Sequence, residues 1–355
     1  MAQASRIPVI LLTGFLGSGK TTLLNAILRE PGMTGTAVLI NEVGAVGLDH
    51  LLVEEVAEDV SLLESGCLCC AMRGDLVRTL RDLFMRRLRR EIPALDRVVI
   101  ETTGLADPAP VIHTLLRDFF VAERFALEGV ISTVDVRNVP WQLAQHQEAV
   151  RQVVMADRVV LTKCDLADSL MIADAEDRVA SLNPGAACLP SEPGKVPAGL
   201  LEGLRVFDAG KSADVARWLG EEAIREQQRL QARMGVFGAR TETAVHSERV
   251  LTHVLRFAQP VAWGDFSRAL DTLQSVLGEH ILRIKGLVAV EGEAAPRVIH
   301  AVQHERYPDT RLPAWPDSDH SSRLVFIVDG LSRSVLEKAL QAFCGVDSTT
   351  VASDL

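Results

Sequence analysis

Gly14-Phe15-Leu16-Gly17-Ser18-Gly19-Lys20-Thr21 fits the pattern G-x-x-x-x-G-K-[ST] in full. An apolar run, PVILLT over 8–13, precedes it, and a helically patterned stretch, TTLLNAILRE over 21–30, follows it. Strand, glycine loop and helix are the setting in which this motif acts as a phosphate cradle. The glycines let the backbone curl so that its N–H groups surround phosphate oxygens. The start of the helix adds a favourable partial charge. Lys20 is placed to reach the β and γ phosphates, and Thr21 offers a hydroxyl to Mg²⁺. Gly14, Gly17, Ser18, Gly19 and Thr22 complete the candidate contacts to the nucleotide.

Working outward, further apolar runs recur: TAVLIN (36–41), RVVIET (97–102), GVISTVD (129–135) and RVVLTK (158–163). Such runs suit parallel strands covered on both faces. Helical patterns such as GDLVRTLRDLFMRRLRRE (74–91) separate them. Alternation of this kind predicts an α/β, doubly wound, mostly parallel sheet of the P-loop NTPase type.

A P-loop needs an acidic partner near its metal. VVIETTG supplies Glu101 at the end of a strand and Gly104 three residues on, an ExxG in which Glu101 would hold Mg²⁺ and the Gly104 N–H would meet the γ-phosphate. Thr162-Lys163-Cys164-Asp165 matches [NT]-K-x-D. The Asp165 carboxylate can accept two hydrogen bonds from guanine that adenine cannot donate, so the pattern favours GTP over ATP. Where Asn is usual, this chain has Thr162, and that Asn ordinarily ties the base loop to the P-loop. Cys164 reads as a spacer.

Three of the six cysteines, Cys67, Cys69 and Cys70, fall within ESGCLCC at 64–70. Thiolates suit Zn²⁺, and three from four residues leave a fourth position open, which fits transfer better than storage. Buried thiols and a redox switch are the competing readings. No histidine stands out as a fourth ligand. His113 lies near the nucleotide region in sequence, and His300 and His304 are expected on one face of a strand.

The remainder of the chain differs in kind. A charged helix and irregular connector cover roughly 213–248. Then come RVLTHVLRF, HILRIKGLVAV, RVIHAVQHE and RLVFIVDG as strands, with GDFSRALDTLQSVLG and SRSVLEKALQAF as helices. These predict a smaller C-terminal α+β domain. The boundaries expected are 1–215 for the nucleotide domain, 216–248 for a helical linker and 249–355 for the second domain.

Bulk composition is consistent with this. The chain has 355 residues, which suggests about two domains. Lys and Arg number 37 against 47 Asp and Glu, a net charge of −10, which disfavours nucleic acid as a partner. RRLRR at 86–90 reads as a solvated helix face. The N-terminal apolar run is short and broken by Pro8, unlike a signal peptide. No stretch approaches the roughly 18 apolar residues of a membrane span. The expectation is a cytoplasmic protein with no membrane partner, in which thiols stay reduced.

In order, GFLGSGKTTLLN, NEVGAVGLDH, ESGCLCC, ETTGLADP and TKCD resemble the CobW-like GTPases, relatives of GTPases that help insert nickel and cobalamin into enzymes. The resemblance covers the whole chain and is firmest over 8–166. It implies a slow GTPase with GTP/GDP and Mg²⁺ that acts as a metallochaperone, with Zn²⁺ (alternatively Co²⁺ or Ni²⁺) on Cys67, Cys69 and Cys70. The family's switch segment usually reads NEFGEVGID. Here Val43 and Ala45 depart from it, while Glu42 remains as a candidate catalytic residue. There is no histidine-rich tract. No arginine finger or water-positioning glutamine is recognisable, so slow turnover is expected, raised by a partner or a metal. A metal-requiring client protein would dock on the C-terminal domain. The alternative is a regulatory or assembly GTPase with a structural metal site. Oligomeric state is not legible.

Overall fold

The computed structural model describes residues 6–41, 61–65, 72–92, 95–202, 204, 219 and 249–344. The chain forms two compact units: Met1–Val179 with Cys188–Arg205, and Ala180–Ala187 with Val206–Leu355. The linker expected over 216–248 lies outside the described residues, apart from Leu219.

The strands of the first unit are β1 (Ile7–Gly14), β2 (Thr36–Asn41), β3 (Ser61–Ser65), β4 (Arg97–Glu101), β5 (Phe125–Asp135), β6 (Arg158–Thr162) and β7 (Ala187–Pro190). They form one sheet in the order β3-β2-β4-β1-β5-β6-β7. Every pair from β3 to β6 is parallel. The helices are α1 (Lys20–Leu28), α2 (Met72–Leu88), α3 (Ala109–Arg117), α4 (Phe119–Arg124), α5 (Val139–Gln145), α6 (Gln147–Met155) and α7 (Ser169–Leu182).

The reason for parallel pairing is visible in burial. Val9, Leu11 and Leu12 in β1, and Val98, Val99 and Ile100 in β4, are fully buried on both sheet faces. One face packs Ile10, Leu12, Val38, Val99, Ile131 and Val160 against Leu23, Leu24 and Ile27 of α1. Each such side chain contributes about 1.5–3 kcal/mol. This packing brings the carboxyl ends of β1, β4 and β6 to one edge of the sheet, the edge at which open α/β sheets bind ligands.

Two differences from the expected strands have local causes. β5 begins at Phe125, four residues before the expected start, because Phe125 pairs with Ile7 and is buried. β7 was not expected at all. It has four residues at the end of the sheet, and none of them is fully buried.

In the second unit, β8 (Val250–Phe257), β9 (Ile281–Val288), β10 (Arg297–Val302), β11 (Glu305–Arg306), β12 (Thr310–Arg311) and β13 (Ser322–Asp329) form a sheet in the order β11-β10-β9-β13-β8, with β12 on β10. All of its pairs are antiparallel. Helices α8 (Trp263–Leu277) and α9 (Arg333–Cys344) contribute Phe266, Leu270, Leu336 and Leu340 to a core with Leu255, Ile284, Leu324 and Phe326.

One expected strand here is corrected. RVIHAVQHE is not continuous, because Gln303 takes a φ of 49° and a two-residue hairpin turn separates β10 from β11. His300 and His304 therefore do not share a strand face. His300 stacks on Tyr307, with ring centroids 3.9 Å apart. His304 Nδ1 donates to the carbonyl of Gln274 at 2.8 Å. Among the described residues, no helix is long and apolar enough to cross a membrane.

Candidate nucleotide-binding site

The loop after β1 is held by its own backbone and by neighbouring strands. Gly14 sits at φ 143°, and a Cβ there would lie 2.3 Å from Thr133 Oγ1 and 2.5 Å from the Thr133 carbonyl oxygen. Only glycine fits where β1 ends beside β5. The Ser18 and Thr133 hydroxyls share a buried hydrogen bond of 2.6 Å. Lys20 is buried, and its ammonium donates to the carbonyls of Gly14 at 3.0 Å and Phe15 at 3.1 Å. The cation is thus held inside the loop at the start of α1.

The two residues expected to face the metal are in contact. Thr21 Oγ1 donates to Glu101 Oε1 at 3.0 Å, across 80 positions of sequence. Strand register sets this up, since Leu12 pairs with Glu101 and the loop begins two residues later. The adjacent turn is fixed as well. Thr102 N donates to the Leu12 carbonyl, and Thr102 Oγ1 to Thr13 Oγ1, both at 2.9 Å. A Cβ on Gly104 would lie 2.6 Å from the backbone nitrogen of Leu16, so this turn and the P-loop are in direct contact. A hydroxyl beside a buried carboxylate is a hard-oxygen donor set of the kind Mg²⁺ takes.

The base loop joins the same cluster. Thr162 Oγ1 donates to the Ser18 carbonyl at 2.8 Å and to the Val134 carbonyl at 3.2 Å. Threonine thus makes the tie to the P-loop that an asparagine ordinarily makes. Lys163 stands at φ 59°, a left-handed conformation rare outside glycine. Its ammonium lies 2.6 Å from Asp135 Oδ2. Asp135 is buried and also accepts from Asn138 Nδ2 at 2.8 Å and Arg137 N at 3.0 Å. Asp165 is exposed on the short turn Cys164–Leu166. Burial pushes the Cys164 thiol up, and its Sγ donates to the Leu161 carbonyl at 3.3 Å.

The structure therefore brings Gly14, Ser18, Gly19, Lys20, Thr21, Glu101, Gly104 and Thr162 together at one sheet edge. Gly17, at φ 68°, lies in the same loop, and Thr22 is exposed on α1. Glu42, Cys67, Cys69 and Cys70 lie outside the described residues. Among the described residues, no group of three or more His, Cys, Asp or Glu could hold a metal ion. Two site residues were not anticipated. Asp135 was legible as the polar end of GVISTVD. Gln152, whose amide binds the Gly104 turn, carries no local signal.

A Gly-rich loop on a parallel sheet, a buried lysine at the start of its helix and a Thr–Glu pair define a P-loop nucleotide-binding protein. Residues 8–190 match the family described as CobW/HypB/UreG, nucleotide-binding domain, and residues 250–344 match the cobalamin synthesis protein cobW C-terminal domain. The chain belongs to this family.

It is 33% identical over 321 residues to the zinc chaperone YjiA of Escherichia coli, covering 90% of this chain and 93% of that protein. It is 27% identical over 361 residues to the zinc chaperone CobW of a Sinorhizobium species, covering 92% and 94% of the two chains. The crystal structure of Zn(II)-bound YjiA GTPase from E. coli superposes with a TM-score of 0.67 at 26% identity, over 96% of this chain and 99% of that one.

Proposed function

We propose that this protein is a slow GTPase that couples its nucleotide state to the binding and release of a zinc ion held by Cys67, Cys69 and Cys70. The observation that carries the nucleotide half is the Thr21–Glu101 hydrogen bond of 3.0 Å beside a buried Lys20, because it joins the phosphate and metal sides of one site. The zinc half is supported by the thiol spacing and by the names of relatives, two of them zinc chaperones and another a zinc-regulated GTPase metalloprotein activator in Saccharomyces cerevisiae.

In this reading the reaction is hydrolysis of GTP to GDP and phosphate. Lys20 neutralises charge on the β and γ phosphates, and the loop backbone encloses them. Mg²⁺, when bound, would be held by Thr21 and Glu101 and supplies further neutralisation of phosphate charge. The Gly104 turn meets the γ-phosphate through its backbone and relaxes when that phosphate leaves. Asp165 selects guanine, while Lys163, anchored by Asp135, lies along the base. The protein works in the cytoplasm and passes its metal to a client protein that docks on the C-terminal domain. By linkage, a metal whose affinity depends on nucleotide must alter nucleotide affinity by the same factor.

The test of the nucleotide half is a phosphate-release assay with GTP and ATP, with and without Mg²⁺. GTP-selective, Mg²⁺-dependent release that is abolished in Thr21→Ala supports the reading. Equal use of ATP, or release indifferent to Thr21, contradicts it.

A further inference from the structure

Helix α6 reaches two parts of the site at once. Gln152, fully buried on this helix, donates from Nε2 to the carbonyls of Gly104 at 3.2 Å and Ala106 at 3.0 Å. The preceding residue, Arg151, pairs through Nη1 with Asp107 Oδ2 at 2.5 Å. The other oxygen of Asp107 accepts from Ala109 N at 2.9 Å, at the start of α3. At the residue that precedes α6 and caps its start, the ring of His146 packs on Phe15 of the P-loop, with centroids 4.5 Å apart. One helix thus holds the whole turn 104–107 and also touches the phosphate loop.

The chemistry at Gln152 is specific. Two carbonyl acceptors on one side dictate that the –NH₂ end of the amide faces them. Its Oε1 is buried and accepts no hydrogen bond among the described residues. By gripping the Gly104 carbonyl, the amide fixes the Gly104–Leu105 peptide plane, and through the shared Cα it restrains the preceding peptide that carries the Gly104 N–H.

We propose that Gln152 is the positioning residue of the γ-phosphate turn. Its amide sets the peptide planes at Gly104–Ala106 in the arrangement that receives the phosphate, without itself touching the nucleotide. This inference rests on the GTPase reading above. It predicts that loss of the amide donor impairs the GTP state and hydrolysis while sparing GDP.

The test uses the full chain with Gln152→Met, which keeps side-chain volume but has no donor, and Gln152→Glu. Binding of fluorescent GDP and of a non-hydrolysable GTP analogue is measured alongside kcat. For Gln152→Met, GDP affinity is expected within about twofold of wild type, with analogue affinity and kcat lowered by about tenfold. In Gln152→Glu a carboxylate cannot donate but a protonated carboxyl can, so kcat relative to wild type should recover as pH falls from about 8 to about 6. Equal changes in GDP and analogue affinity, or unchanged kcat in both variants, overturn the inference. If Gln152→Met no longer binds GDP, the Gln152→Glu ratio decides, and a ratio independent of pH overturns it. A wild-type protein that does not hydrolyse GTP overturns the GTPase reading, and this inference falls with it.

Discussion

The Thr162 hydroxyl donates to the carbonyl of Ser18 at 2.8 Å, so the last residue of β6 is tied to the middle of the P-loop. Thr162→Val keeps the shape and removes the donor, leaving a buried carbonyl unmet at a cost of about 1–3 kcal/mol. Both GTP and GDP should bind more weakly, by similar factors, because the tie does not involve the γ-phosphate. Thr162→Ser should stay near wild type. Titration of the two nucleotides against the three proteins checks this.

Lys163 and Asp135 form the second anchor of the base loop. Lys163 is partly exposed, whereas Asp135 is buried with two further donors on its carboxylate. Asp135→Asn should weaken GTP binding and reduce discrimination against ATP, because the lysine stem loses its fixed direction. Competition between GTP and ATP for the site measures this directly.

Gly104 has no room for a side chain, since a Cβ would lie 2.6 Å and 2.7 Å from backbone atoms of Leu16. Gly104→Ala must push the turn and the P-loop apart. Hydrolysis should fall by at least about tenfold, with Tm lowered by a few degrees. Single-turnover hydrolysis and thermal unfolding of the variant test both expectations.

Burial pushes the Cys188 thiol from an ordinary 9.0 up to about 12. The folded chain therefore holds this proton more tightly than the unfolded chain does. Its contribution to stability is full below about pH 9 and is lost as pH rises toward about 12. Cys188→Ala should flatten that part of the stability–pH curve, read by urea unfolding at successive pH values. At neutral pH, Cys164 and Cys188 should alkylate more slowly in the native than in the unfolded protein, because burial raises both thiols above their ordinary value and lowers the thiolate fraction.

Much of the site was legible in the sequence because its elements are local. The G-x-x-x-x-G-K-T loop, the ExxG turn and the T-K-x-D loop each end a buried apolar strand, and strand order then brings them to one edge. What was not legible depends on contacts distant in sequence. Gln152 sits on an amphipathic helix with no motif around it, and its partner Gly104 is 48 positions away. The role of Thr162 was obscured by comparison with asparagine, although a hydroxyl reaches the same carbonyl. The break at Gln303 was missed because an apolar run gives no sign that its next residue will take a left-handed φ. β7 was missed because a short strand at the sheet end carries little burial pattern.

The central claim is that nucleotide state governs zinc affinity. Zinc competition against a chromogenic chelator tests it most directly, with the protein free of nucleotide, with GDP, and with a non-hydrolysable GTP analogue and Mg²⁺. Cys69→Ser serves as the control. A several-fold difference in zinc affinity between the nucleotide states, lost in Cys69→Ser, is the result predicted. Equal zinc affinity in all three states would contradict it and would make the metal a structural element of a regulatory GTPase.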